Sequence, residues 1–126
     1  MALKVFHDET MSEEITPGNP DTVKGTVVQG HNFSHIRPIY VGTLNQSRTF
    51  ENILIKQNPT KENVYIDYAL TEAGLPVTPG DQPELVLSDG DYHTALEVWR
   101  RVTIVEVEEA QVRALYHELS FHEFLI

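Results

Sequence analysis

The chain has 126 residues, 40% of them apolar and 22% charged, with no cysteine. That is one domain, long enough to remove roughly two-thirds of its unfolded surface from water, and it lacks disulfides, thiolate metal sites and Cys nucleophiles. The formal charge of −10, from 19 acidic against 9 basic residues, disfavours nucleic acid and anionic membranes, which need clustered Lys and Arg.

The first ten residues carry no apolar targeting core, and no run approaches the roughly 18 apolar residues of a membrane span. The expectation is a soluble chain folded in the cytosol. Residues 1–21 read as an N-terminal arm. Leu3, Val5 and Phe6 form a short apolar tip, after which Pro17-Gly18 and Asn19-Pro20 break regular structure. The tip either docks on its own domain as a first strand or reaches a neighbouring subunit.

Residues 22–126 read as the folded domain. β-branched residues fill Thr22 to Gln29, up to Gly30. From Ile36 to Leu44 the residues Ile39, Val41 and Thr43 share one face, and Tyr40 takes the other. Pro38 suits an edge or the start of pairing, because it removes a ladder donor. Asn45 to Arg48 is a polar turn, and Phe50 to Gln57 follows with Ile53 and Ile55 on one side and Leu54 on the other.

After the turn at Asn58 to Lys61, Val64 to Leu70 alternates with period two, the cleanest strand pattern in the chain. Residues 71–82 form a long loop, and Leu85 to Leu87 a brief strand stopped by Ser88-Asp89-Gly90-Asp91. Ala95 to Val107 is the longest β-rich run. Arg100 falls on the same parity as Leu96, Val98, Val102 and Ile104, where a charge is costly unless paired. A bulge at Arg100-Arg101, or an inner face that ends there, is therefore expected. Residues 108–116 fit either a helix or a strand; a turn or short helical piece is expected, then a final strand from about Leu115 to Leu125.

Several near-motifs lack the chemistry they suggest. His117 and His122 are five residues apart, which points them to different sides of a helix or strand rather than to one zinc ion. His31 and His35 lie in a Gly-, Asn- and Ser-containing loop. Ser88 to Asp91 has two carboxylates but not the further ligands of a calcium loop. Glu106, Glu108 and Glu109 read as a solvated acidic turn. No nucleophile elbow or phosphate-cradling glycine loop is present, so no catalysis, cofactor or metal is expected. Trp99 is expected to pack in the core or an interface, and only secondarily to join a flat aromatic platform for sugars.

Taken together, Leu-Lys-Val-Phe-His-Asp-Glu-Thr at the start, Gly-Asn-Pro-Asp-Thr-Val-Lys-Gly-Thr-Val-Val-Gln-Gly, Arg-Pro-Ile-Tyr-Val-Gly, Thr-Phe-Glu-Asn-Ile-Leu-Ile and Trp99-Arg100-Arg101-Val102-Thr103 resemble the strands of small virion proteins of tailed bacteriophages. Arg101 stands where that pattern is often apolar. The resemblance implies an all-β, immunoglobulin-like sandwich of about seven or eight antiparallel strands with an extended N-terminal arm. It further implies a non-enzymatic protein made in the bacterial cytoplasm and carried on the capsid surface, as decoration or cement bound to the major capsid protein. Alternatives are a minor tail, baseplate or head-tail component, or a carbohydrate- or receptor-binding module. Candidate interface residues are Leu3, Val5 and Phe6 at one end and Phe124, Leu125 and Ile126 at the other. A homo-oligomer, such as a trimer on a capsid threefold axis, is the expected state.

Overall fold

A computed structural model describes residues 2–25, 32–105 and 111–126. These hold nine strands, β1 (Lys4–Phe6), β2 (Asp21–Gly25), β3 (Phe33–Gly42), β4 (Arg48–Gln57), β5 (Val64–Ala69), β6 (Glu84–Leu87), β7 (Leu96–Ile104), β8 (Gln111–Leu115) and β9 (His117–Leu125). The one helical piece among them is a 3-10 turn, Glu72–Gly74. All strand pairs are antiparallel. One sheet has the order β1-β3-β7-β5 and the other β6-β4-β9, while β2 and β8 form a separate ribbon. The protein is an all-β sandwich.

The alternation seen in the sequence sets the faces. Ile39 and Val41 of β3, Val98 and Val102 of β7, and Ile53 and Ile55 of β4 are fully buried between the sheets. At about 25 cal/mol per Å² of apolar surface removed from water, these β-branched side chains supply much of the driving force for stacking the sheets. Val23 of β2 and Leu115 of β8 bring the ribbon into the same core. Pro38 sits in a strand that is central by order, yet β1 pairs only with Tyr40 to Gly42. At Pro38 the chain therefore has β7 alone as a strand partner, which suits a residue without an N–H.

β4 carries a register shift between Glu51 and Leu54. Asn52 sits there with φ 52°, a left-handed conformation that Asn tolerates better than most residues. Its backbone N–H donates to Asp89 Oδ1 at 3.2 Å, so the bulge is tied to the turn after β6.

The structure decides between the two readings of the N-terminal tip and corrects two further expectations. First, the tip docks on its own domain: Leu3, Val5 and Phe6 are buried in the chain's own core, and β1 pairs with β3. The segment behind it folds back, with His7 N–H donating to the Glu13 carbonyl and Ile15 N–H to the Val5 carbonyl. The physical reason is that the three side chains gain more from the open edge of their own sheet than a free tip could. Secondly, β7 has no bulge at Arg100-Arg101; its register with β3 and β5 runs unbroken across them. Thirdly, residues 111–115 are a strand paired with β2, not a helical piece. The parts of the expected elements at 26–31 and 106–110, with His31, Glu106, Glu108 and Glu109, lie outside the described residues.

Candidate functional site

Arg100 shows why no bulge was needed. Its Nε and Nη2 donate to the two carboxylate oxygens of Asp21, each at 2.8 Å. This two-pronged contact is the geometry in which Arg and a carboxylate bind best. The third prong, Nη1, donates to the His35 carbonyl and to His35 Nδ1, both at 3.0 Å. Arg37, directly opposite Arg100 on β3, adds a longer contact of 3.4 Å to Asp21 and donates to the His7 carbonyl at 3.2 Å.

Asp21 also receives His117. The His117 Nε2 lies 2.8 Å from Asp21 Oδ2, and the Tyr68 hydroxyl lies 2.6 Å from His117 Nδ1. These partners assign the tautomer: Nε2–H donates to the carboxylate, and Nδ1 accepts from the phenol. Burial lowers the His117 pKa and outweighs the opposing pull of Asp21, so the imidazole is neutral at pH 7. The contact with Asp21 is thus a hydrogen bond and not an ion pair. Burial alone would raise the Asp21 pKa, but hydrogen bonds from His117 and Arg100 win and hold the carboxyl well below its usual range.

The side chains of Asp21, Arg100 and His117 are 0% exposed, and Tyr68 is likewise sealed. The four come from the ribbon (Asp21), the four-stranded sheet (Tyr68 and Arg100) and the three-stranded sheet (His117). They form a polar core in which charge, imidazole and phenol satisfy one another, their side chains buried away from solvent.

The sequence-derived candidates fall elsewhere. His117 and His122 are not brought together: His117 joins Asp21, whereas His122 is exposed with Nδ1 3.2 Å from Asn52 Nδ2. Asp89 and Asp91 each accept a nearby backbone N–H, and the turn they occupy is closed by Tyr92 donating to the Ser88 carbonyl at 2.6 Å. Among the described residues no group of three His, Asp or Glu is arranged to hold a metal ion. Among these residues no helix is long and apolar enough to cross a membrane. Trp99 is not a core residue; it is half-buried with its Nε1–H donating to Glu97 at 2.9 Å. Phe124, Leu125 and Ile126 are exposed at 45%, 74% and 71%.

His35, expected in a solvated loop, instead lies in β3 opposite Val102, because strand pairing with β7 carries on through it; Asp21 and Tyr68 were not expected as partners of Arg100 and His117, although a signal existed. Arg100 on a buried parity requires a carboxylate, and His117 shares the parity of Leu115 and Leu119.

A surface feature completes the site. β1 and β9 are the neighbouring edges of opposite sheets, and a groove runs between them. Its upper part, about 380 Å³, is lined by Leu3, Val5, Ile15, Pro17, Tyr116 and Leu119, among others. The lower part, about 370 Å³, meets Thr43, Leu44, Arg48 and Glu123. The Lys4–Glu14 ion pair, at 3.1 Å, borders both. No family model, no curated protein and no solved structure matches the chain.

Proposed function

We propose that the chain is a structural protein of a tailed-bacteriophage virion, attached to the capsid lattice as decoration or cement. The observation that carries this reading is the division of its chemistry. The charged and titratable groups that meet one another, Asp21, Arg100, His117 and Tyr68, are sealed between the sheets, while apolar side chains are exposed at Phe124, Leu125 and Ile126. Such a unit has a stiff interior and an adhesive end, which suits many copies docking on a lattice. The resemblance of its strands to small virion proteins, including the immunoglobulin-like arrangement, supports the same reading. Quantitative mass spectrometry of purified particles tests it. Hundreds of copies per head agree with decoration, a ring-sized number moves the chain to the tail or head-tail junction, and absence from the particle overturns the proposal.

A second reading rests on the outer face of the four-stranded sheet. There Glu97 accepts from both Trp99 Nε1 and the Tyr40 hydroxyl, placing two amphipathic aromatics, each with an apolar ring and a polar handle, beside one carboxylate on an outer face. Trp99 is the chain's one tryptophan, so its fluorescence reports directly. A saturable change on titration with oligosaccharides favours this module; a flat response removes it.

A further inference from the structure

The outer edge of β9 is open. Asn58 N–H donates to the Tyr116 carbonyl, and Ile126 N–H to the Ser47 carbonyl. Backbone groups in an antiparallel pair alternate between facing the partner and facing away. The shift in register falls in β4 between those two anchors, so parity along β9 is unbroken. Even-numbered residues of β9 therefore turn their N–H and C=O towards β4. The odd-numbered ones, His117 to Leu125, turn theirs outward, and no backbone partner meets them among the described residues.

The usual protections of an edge are missing. β9 contains no proline and no lysine. Its two glutamates are already engaged by the chain: Glu118 with Lys56 at 3.9 Å and with Asn58, and Glu123 with Arg48 at 3.2 Å. At this edge the acidic side chains are thus locally paired, and the net charge of −10 acts between two copies only as long-range repulsion.

We propose that the occupant of this edge is β9 of a second copy, paired antiparallel about a twofold axis through Phe121. That register is the one that pairs the nine-residue strand along its whole length. It places His117 opposite Leu125 of the other copy, and Tyr116 opposite Ile126. Leu125 lies on the same strand parity as Leu119 and Phe121, which pack against the core, but it runs past that core and is 74% exposed. In the dimer this side chain reaches the apolar end of the other copy's groove, beside Leu3, Ile15 and Tyr116. Each copy supplies one tail and one groove, as an isologous contact requires. The result is a continuous six-stranded sheet, β6-β4-β9 joined to its symmetry mate.

The inference is independent of the virion reading, because it concerns the purified protein alone. Sedimentation equilibrium of the full chain is expected to show a monomer–dimer equilibrium that tightens with added salt, since screening weakens the long-range repulsion between two acidic copies. Leu125→Asp with Ile126→Asp, at exposed positions that do not disturb the core, is expected to weaken dimerisation by about tenfold or more. In Ser120→Cys with His122→Cys, each new thiol faces its opposite number across the axis at about 4.5 Å between Cα atoms, within disulfide range. Oxidation should then link two chains, whereas Ser120→Cys alone should not. A wild-type chain that stays monomeric to about 1 mM would leave the edge to another occupant and overturn the proposal. So would a trimer, a dimer indifferent to the tail change, or failure of the paired cysteines to cross-link.

Discussion

At the scale of single residues, Arg100 governs what its neighbours must be. A guanidinium between two sheets needs its donors satisfied, and Asp21 and His35 accept from it. Tyr68 has a smaller part: its hydroxyl is the partner of His117 Nδ1. Tyr68→Phe keeps the ring and its T-shaped contact with His117 but leaves a buried acceptor empty. The expected loss is about 1–3 kcal/mol in urea unfolding, with little change in slope. Arg100 was recognisable in the sequence as a problem, because it interrupts an apolar parity. Its solution was not, since Asp21 lies 79 residues away in the chain and only the pairing of β2 with β8, and of β3 with β7, brings the two together. Period-two alternation reports which face a residue takes; it carries no information on which distant residue shares that face.

At the scale of elements, two attachments decide where the chain can loosen. β1 is three residues long and holds on mainly through side chains. Leu3→Ala is expected to cost about 2–5 kcal/mol, measured by chemical denaturation, because it empties a fully packed site. The loop between β5 and β6 is strapped instead by a side chain. Asp67 of β5 accepts from Gly80 N–H at 2.9 Å and Gln82 N–H at 2.8 Å and pairs with Arg101 at 3.0 Å. Gly80 adopts φ +87° to make its bond, a conformation open to glycine at low cost. Asp67→Ala should release residues 71–82, seen as faster hydrogen exchange and proteolytic nicking there while β7 stays protected. Unchanged protection of the loop would show that packing alone holds it. The strands β3, β4, β5 and β7 were legible because each is long and clearly alternating. β1 was ambiguous because three residues carry too little pattern to say whether their edge belongs to this domain or a neighbour's. Residues 111–115 misled because their composition favours helix, and pairing with β2 overrides so weak a preference.

At the scale of the whole molecule, the buried polar core couples folding to pH. Burial keeps the His117 pKa below its ordinary 6.5 in the folded protein. Burial and the nearby Arg100 do the same for His35. The unfolded chain therefore binds more protons than the folded one as pH falls through 6.5, and stability, complete above that value, declines below it. Asp21, held below its ordinary 3.8 by His117 and Arg100 against the effect of burial, adds a second decline once pH drops past 3.8. His117→Asn is expected to shrink the first decline, leaving the part that His35 contributes, as read from unfolding midpoints across the acid range.

The claim underlying the proposed function is that the sealed cluster joins the sheets and the ribbon instead of reacting with a ligand. A double-mutant cycle on Asp21→Asn and Arg100→Met, followed by urea unfolding, addresses it most directly. Each single change should cost about 3–5 kcal/mol by leaving its partner buried and unpaired. The double variant should lose less than the sum, by about 0.5–3 kcal/mol. Single variants that keep the parent's stability to within about 0.5 kcal/mol would contradict the claim, because a cluster that contributes nothing to folding would have to be held in place for some other purpose.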